Sequence, residues 1–401
     1  MNFQESLFTY PLAFNDFTSE DAESVRDLFI NGQLTQGEVT MKYEKALASY
    51  FGSKYAIAVN SGSSANLLMI TALLYSNEKS NFLRRGDEVI VPAVSWLTTY
   101  SPILQLGMIP RVVDVDADTL NICVDSIEKS ITNKTKCIFA VNLLGLPCDF
   151  ERIMHICKKY NLILIEDNCE SMGARYRNKF SGTYGLMSSQ STYMSHHIST
   201  IEGGFVLTDN SYFNDLLRSL RSHGWARDLN INSNFYKENT ENYKDSNLPD
   251  DFLFFLPGFN LRTTEINSIL GLNKLSSLDK IIKKRQYLSR KFREILNNSS
   301  LKLYTQTYDQ NSSCFGFPII CEDLCLLEKL KDTLEKHGFQ TRPIVTGNIL
   351  RHPVSRFFPA IEKELPNADK IHNNGLYIGN YFSSSEDSIN DFSNAINSLR
   401  F

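Results

Sequence analysis

Four things are scarce or missing in this 401-residue chain, and each absence removes a class of function. No apolar run approaches the 18 or so residues that a membrane-spanning helix needs. The opening MNFQESLFTYPLAFND is acidic and polar, unlike a secretory leader, so a cytoplasmic protein is expected. Charge of one sign is also lacking: 41 Lys and Arg against 45 Asp and Glu leave a net −4. Such a balance sets up no field for nucleic acid or an anionic membrane, so an anionic substrate would need local arginines and backbone amides. The eight cysteines (123, 137, 148, 157, 169, 314, 321 and 325) contain no CxxC pair and fall mostly inside apolar runs. They read as small core side chains, and no metal site is expected. The fourth absence is local: between Lys179 and Lys237 there is no lysine.

What is present is an ordinary globular composition, 42% apolar and 21% charged. The length exceeds what one hydrophobic core usually supports, so two domains are expected. Helical periodicity over 20–50, with a break at Gly32, precedes an apolar run from Tyr55 to Val59. Asn60-Ser61-Gly62-Ser63-Ser64 follows, and then the helix-like Ala65-Asn66-Leu67-Leu68-Met69. A strand, a Gly/Ser turn and a helix start form an anion-binding arrangement, although serine is also a common helix cap.

Further strands are expected at Asp87–Val91, Arg111–Val115 and Cys137–Leu143, with helices at 125–132 and 149–159. Alternation of this kind implies a mostly parallel sheet whose site lies along its C-terminal edge. Trp96, one of two tryptophans, follows the strand that ends at Pro92, either as a packing aromatic or as a platform for a planar ring. One more strand, Phe205–Leu207, leads into a helix ending near Ser222. The polar stretch 228–250 reads as a mobile loop or a cover for a partner subunit. A long helix is expected from Thr263, where the domain boundary is placed: 1–262 a large α/β domain, 263–401 a smaller α+β domain. Strands near 301–305 and 313–320 and helices near 323–337 and 384–399 fill the second, which carries no obvious catalytic cluster of its own.

The stretch Leu162–Gly204 concentrates the chemistry. Its apolar run ends in Glu166 and Asp167, the usual way an α/β sheet delivers a carboxylate to a cleft. About thirty residues on come His196 and His197, in a turn rich in hydroxyls that argues against a buried position, then Glu202-Gly203-Gly204.

Taken together, NSGSSA (60–65), VPAVSW (91–96), DVD (114–116), EDNCE (166–170), STYMSHHISTIEGG (191–204), HGW (223–225) and GFNLR (258–262) resemble the DegT/DnrJ/EryC1/StrS family. These are sugar-modifying members of the fold-type I, aspartate aminotransferase-like pyridoxal-phosphate enzymes, and the resemblance runs from about Pro11 to the end. It implies a phosphate cradle from Gly62 and Ser63 with the Ser191 hydroxyl, and Trp96 stacked on the pyridine ring. It places Asp167 on the pyridinium nitrogen, where a cationic ring works as an electron sink, and Glu170 near the phenolic oxygen. Asn260 would reach the phosphate of a neighbouring site in a homodimer with composite sites. His223 and Arg227, at the HGW turn, would touch cofactor or sugar.

One departure from the family pattern sets the expected reaction. The Schiff-base lysine belongs five residues after the phosphate serine and six before the Glu of the GEGG-like turn. Counted from Ser191 and from Glu202, that position is His196. A histidine cannot hold the cofactor covalently, yet it can move protons near neutral pH. The substitution resembles the 3-dehydratase branch of deoxysugar biosynthesis. Non-covalently bound pyridoxal or pyridoxamine phosphate, glutamate as amino donor, His196 as acid and base, and a nucleotide-linked 4-keto-6-deoxysugar follow as expectations. A GDP-linked mannose derivative is preferred over the CDP-linked, iron–sulfur type, because the 228–255 region has no cysteine. The rivals are a sugar aminotransferase with a lysine from elsewhere, an iron–sulfur dehydrase with unusual ligands, and a non-catalytic partner protein of the same fold.

Overall fold

The computed structural model describes residues 8–13, 16–78, 82–241, 248–249, 252–307, 309–359, 364–380 and 386–399. Helices α1 (Ser19–Asn31) and α2 (Glu38–Phe51) precede β1 (Tyr55–Val59), α3 (Gly62–Tyr75), β2 (Glu88–Pro92), α4 (Ser101–Gln105) and β3 (Ile109–Val113). Next come α5 (Val124–Ser130), β4 (Thr135–Val141), α6 (Phe150–Tyr160) and β5 (Ile163–Asp167). A hairpin of β6 (Arg175–Tyr176) and β7 (Lys179–Phe180) follows, then β8 (Met187–Ser191), β9 (Gly204–Thr208) and α7 (Ser211–Arg221).

Seven of these strands form one sheet in the order β1-β9-β8-β5-β4-β2-β3. Only β9 runs against the others. Six of the strands are mostly apolar because helices cover both faces, whereas β8, Met-Ser-Ser-Gln-Ser, is polar and buried. The C-terminal ends of β1, β2, β5 and β8, and the start of β9, therefore open on one edge. Strand β5 runs two residues beyond the expected apolar run, since Val141 of β4 pairs with Asp167 itself. Period-2 alternation then separates the two carboxylates. Glu166 turns away and accepts hydrogen bonds from the amides of Gly182, Tyr184 and Gly185, which shapes the turn before β8.

The polar stretch after α7 is not all loop. Helix α8 (Asn234–Thr240) forms there, capped by Ser233 and anchored by buried Phe235 and Tyr236; residues 242–247 and 250 lie outside the described residues. The long helix expected from Thr263 is two, α9 (Glu265–Leu275) and α10 (Leu278–Asn297), separated at Ser276-Ser277. Helix α9 lies against α1 and α2, and the Glu265 carboxylate caps the start of α2 through the amides of Gly37, Val39 and Thr40. Beyond α10 come β10 (Leu303–Tyr304), β11 (Gly316–Cys321), α11 (Leu324–Lys336), β12 (Thr341–Pro343), α12 (Pro366–Asn374), β13 (Gly375–Gly379) and α13 (Glu386–Ser398). A four-stranded sheet, β10-β11-β13-β12, carries its own apolar core around Phe292, Phe317, Phe339 and Phe392.

Candidate active site

Asp167 sits at the centre of the sheet edge and is almost wholly buried, at 5% exposure. Its Oδ2 accepts hydrogen bonds from Asn66 Nδ2 and Thr99 Oγ1, both at 2.8 Å. Its Oδ1 accepts from the Cys169 amide at 3.2 Å and the Ser189 hydroxyl at 3.4 Å. Every donor is neutral, so among the described residues this buried charge has no cation beside it. Buried carboxylates are normally paired.

Helix α3 points its N-terminus at the same edge. Ser61 caps it by accepting from the Ser64 amide at 3.0 Å. Ser191, the last residue of β8, stands against that terminus. A methyl group on Gly62 would lie 2.7 Å from the Ser191 Cβ and 2.8 Å from the Cys169 sulfur, and one on Gly204 would lie 2.6 Å from the Gly62 nitrogen. Glycine is therefore required at both positions for the backbone to close the cradle. Ser63 Oγ donates to Thr98 Oγ1 at 3.0 Å, which ties the cradle to the turn carrying Trp96. The Trp96 indole is 57% exposed and belongs to no core.

The histidine loop hangs between β8 and β9. Its neck is closed by the Thr192 amide to Gly203 O at 3.0 Å, the Thr200 amide to Thr192 O at 2.8 Å, and the Thr192–Thr200 hydroxyl pair at 2.6 Å. The hydroxyls that argued for an open turn are thus spent inside the loop. His196 is half-buried and His197 buried, contrary to the expectation for the pair. His196 Nδ1 lies 2.7 Å from the Cys169 carbonyl. A carbonyl can only accept, so Nδ1 carries the proton and Nε2 is left with a free lone pair. Burial, and secondarily Arg285, pull its pKa down to about 4 against the opposing Cys169 carbonyl and Asp167. The ring is neutral at pH 7, a base waiting for a proton. By the same logic His197 Nε2–H donates to Ser313 O at 3.0 Å, and burial keeps that ring neutral too.

Glu170 accepts a hydrogen bond from the Leu144 amide at 3.0 Å, at a turn where Leu144 holds a left-handed φ of 51°. Burial raises its pKa to about 7, with Asp167 adding and the Leu144 amide opposing. The folded value lies above the unfolded one, so this contribution to stability is complete below about pH 4 and is lost as pH rises through 7. The melting temperature of wild-type apoprotein relative to Glu170→Gln should accordingly fall by on the order of 2–4 °C between pH 5 and 8. Thermal denaturation across that range checks it, and a difference independent of pH would refute the assignment.

Gly62, Ser63, Trp96, Asp167, Glu170, Ser191 and His196 thus converge on one cleft. Asn260, His223 and Arg227 do not join them. The Ser222–Asn260 bridge and the His223 amide to Phe259 O set them together at an exposed corner. There Asn260 Oδ1 accepts from Arg262 Nε at 3.1 Å, and Arg227 lies over the Trp225 ring. The sequence reading missed Asn66, Thr99 and Ser189 around Asp167, and it missed the wall supplied by the four-stranded sheet. In that sheet Leu376 and Ile378 face the local core, whereas Tyr377 packs towards the large sheet's core. Arg342 pairs with Tyr377 in register, on the same face, and is exposed. Period-2 alternation in β13 was the available signal.

The family profile of the DegT/DnrJ/EryC1/StrS aminotransferases matches residues 15–397, and the chain belongs to that family. It is 41% identical over 381 residues to a GDP-4-keto-6-deoxy-D-mannose 3-dehydratase of Yersinia pseudotuberculosis, covering 94% of this chain and 95% of the relative. The solved E. coli GDP-4-keto-6-deoxy-D-mannose 3-dehydratase with bound hydrated PLP superposes with a TM-score of 0.90 at 38% identity, over 97% of this chain and 99% of that one. A further structure of a GDP-4-keto-6-deoxymannose 3-dehydratase, with a trapped PLP–glutamate geminal diamine, gives 0.90 at 37% identity over 97% and 100%.

Proposed function

We propose that this chain is a pyridoxal-phosphate-dependent 3-dehydratase that removes the C3 hydroxyl of GDP-linked 4-keto-6-deoxymannose. Glutamate is the amino donor, and the product is one used in deoxysugar and lipopolysaccharide biosynthesis. The observation that carries the reading is His196: an imidazole with its proton fixed on Nδ1 and its Nε2 free, at the position where the family pattern has lysine.

The cleft fits the cofactor. Asp167 is a buried anion with no cation beside it among the described residues, suited to hold a pyridinium N–H. The α3 terminus, with Gly62, Ser63 and Ser191, offers amides and hydroxyls to a phosphate. Exposed Trp96 offers a face to the ring, and Glu170, titrating near 7, can share a proton with the phenolic oxygen. When bound, the cofactor supplies an electron sink conjugated to the sugar's C4. His196 Nε2 then takes a proton and, as imidazolium, returns it to the departing C3 hydroxyl, a poor leaving group unless protonated. The two electrons that reduce C3 come from glutamate, which leaves as 2-oxoglutarate and ammonia. No lysine lies between Lys179 and Lys237 to hold the cofactor, so binding is non-covalent and release of an amino sugar is disfavoured. The absence of cysteine between Cys169 and Cys314 favours the cluster-free type.

Exposed apolar side chains on α1 and α2 (Phe29, Ile30, Met41) and at Phe252 and Phe254 support a homodimer. In it Asn260, His223 and Arg227 would serve the partner's cleft. Sedimentation should give twice the chain mass, and a monomer that turns over would exclude composite sites. We place the two units at residues 1–262 and 263–401. In the described residues no helix is long and apolar enough to cross a membrane, in keeping with a cytoplasmic enzyme.

The anionic substrate needs a cation, and Arg342 is the best placed. It shares its face of β12 and β13 with Tyr377, whose hydroxyl is pushed up to about 12 by burial and Glu170, with Arg342 opposing. Arg342→Ala should raise KM for the nucleotide sugar roughly 10–100-fold and leave kcat within about threefold, as expected for one charged hydrogen bond lost in ground and transition states alike. An unchanged KM in steady-state assays would remove Arg342 from the substrate.

A further inference from the structure

Segment Ser312–Gly316 is threaded between the histidine loop and the small sheet, and it is fixed from both sides. On one side Ser313 and Phe315 donate their amides to Gly145 O at 2.9 Å and Leu144 O at 3.0 Å, and His197 holds Ser313 O. On the other, Arg285 of α10 donates from Nη1 to Phe315 O at 2.7 Å and Asn380 O at 2.9 Å. Asn380 Nδ2 returns to Cys314 O at 2.7 Å and to Arg285 O at 2.9 Å. Cys314 is held between them at a left-handed φ of 49°, a conformation that persists only where the surroundings impose it.

The result is that the Phe315 ring stands 5.0 Å from the His196 ring and 5.8 Å from that of His197. Arg285 is 6% exposed, and the hydrogen bonds it makes go to carbonyls, with no carboxylate in ion-pair reach among the described residues. A buried guanidinium without an anion is costly. One that only tied two loops together could be replaced by neutral groups.

We propose that Arg285 is a positioning residue for proton transfer. It sets Phe315 as one wall of the His196 imidazole and stations a fixed positive charge behind it, so that the seating of the small sheet keeps His196 ready as a base. The inference rests on the role of His196 given above. The groups that face this imidazole are few. Asp167 ends β5 and the Cys169 carbonyl lies in the turn after it, Tyr193 and His197 come from its own loop, Phe315 from the threaded segment, and Arg285 from α10. Asp167 and the carbonyl favour the imidazolium; burial and Arg285 disfavour it.

The test is the titration of His196 in Arg285→Met, Arg285→Lys and Phe315→Leu. It is read by NMR of imidazole-labelled apoprotein and by the acid limb of kcat/KM. Removing the charge should move the His196 midpoint, and the acid limb with it, up by about one pH unit. Arg285→Lys should keep the midpoint within about 0.3 unit while lowering kcat, because the charge stays but the rigid planar group that places Nη1 between the Phe315 and Asn380 carbonyls is lost. Phe315→Leu admits water and should also raise the midpoint, which keeps the test open if Arg285→Met does not fold. Identical titrations in Met and Lys variants, or a midpoint unmoved in Met and in Leu, would overturn the proposal. The apoprotein titration uses no sugar, so a failure of the dehydratase reading would show separately, as missing turnover in the wild type.

Discussion

Replacing His196 by glutamine should lower kcat for loss of the C3 hydroxyl by roughly 10²–10⁴-fold, the range that a positioned acid–base group contributes. The amide can still donate to the Cys169 carbonyl, 2.7 Å from the present Nδ1, so the loop should keep its shape, but it cannot accept a proton at pH 7. Cofactor affinity, followed by absorbance, should stay within about threefold, because Asp167, the α3 cradle and Trp96 are untouched. A loss of turnover that tracked a loss of cofactor would reassign His196 to binding. His196→Lys separates the two ideas further. A lysine there can bond the cofactor, so borohydride should fix it to the chain, which it should not do in the wild type.

Asp167→Asn should be nearly as damaging, by on the order of 10²–10³-fold in turnover, with weaker retention of cofactor on dialysis. Asn66, Thr99, Ser189 and the Cys169 amide all direct hydrogens at this carboxylate. An amide would turn an NH2 towards some of those donors and remove the anion that holds a ring nitrogen protonated. Wild-type turnover in the asparagine variant would show that the ring works uncharged, and the electron-sink account would fail.

How much of this was legible depended on where the information lies along the chain. The ends of parallel strands carry their chemistry in short segments. Ser191 and the register of His196 came from the family resemblance, but Gly62, Trp96 and Asp167 could be placed along one edge from the strands before them. Residues that act through the small sheet could not. Arg285 lies mid-helix, Phe315 before a strand and Arg342 in a three-residue strand, and only packing sets Arg285 on Phe315, Phe315 against His196 and Arg342 beside Tyr377. Helix α8 was hidden in a polar stretch, although the Ser233 cap and the Phe235-Tyr236 pair marked it. The split between α9 and α10 at two serines looked like one periodic helix because both halves carry apolar residues at the same spacing. The burial of the histidine loop was missed for a different reason: hydroxyls satisfied within a loop read in sequence like hydroxyls facing water.

The most direct test of the central claim is turnover by protein reconstituted with pyridoxal phosphate, given glutamate and GDP-4-keto-6-deoxymannose. Ammonia and the sugar product, the latter by mass spectrometry, would be followed beside His196→Lys. The account requires a wild-type product lighter than the substrate by one oxygen, with ammonia released by the wild type and not by the lysine variant. A 4-amino sugar from the wild type would contradict it and make the chain an aminotransferase.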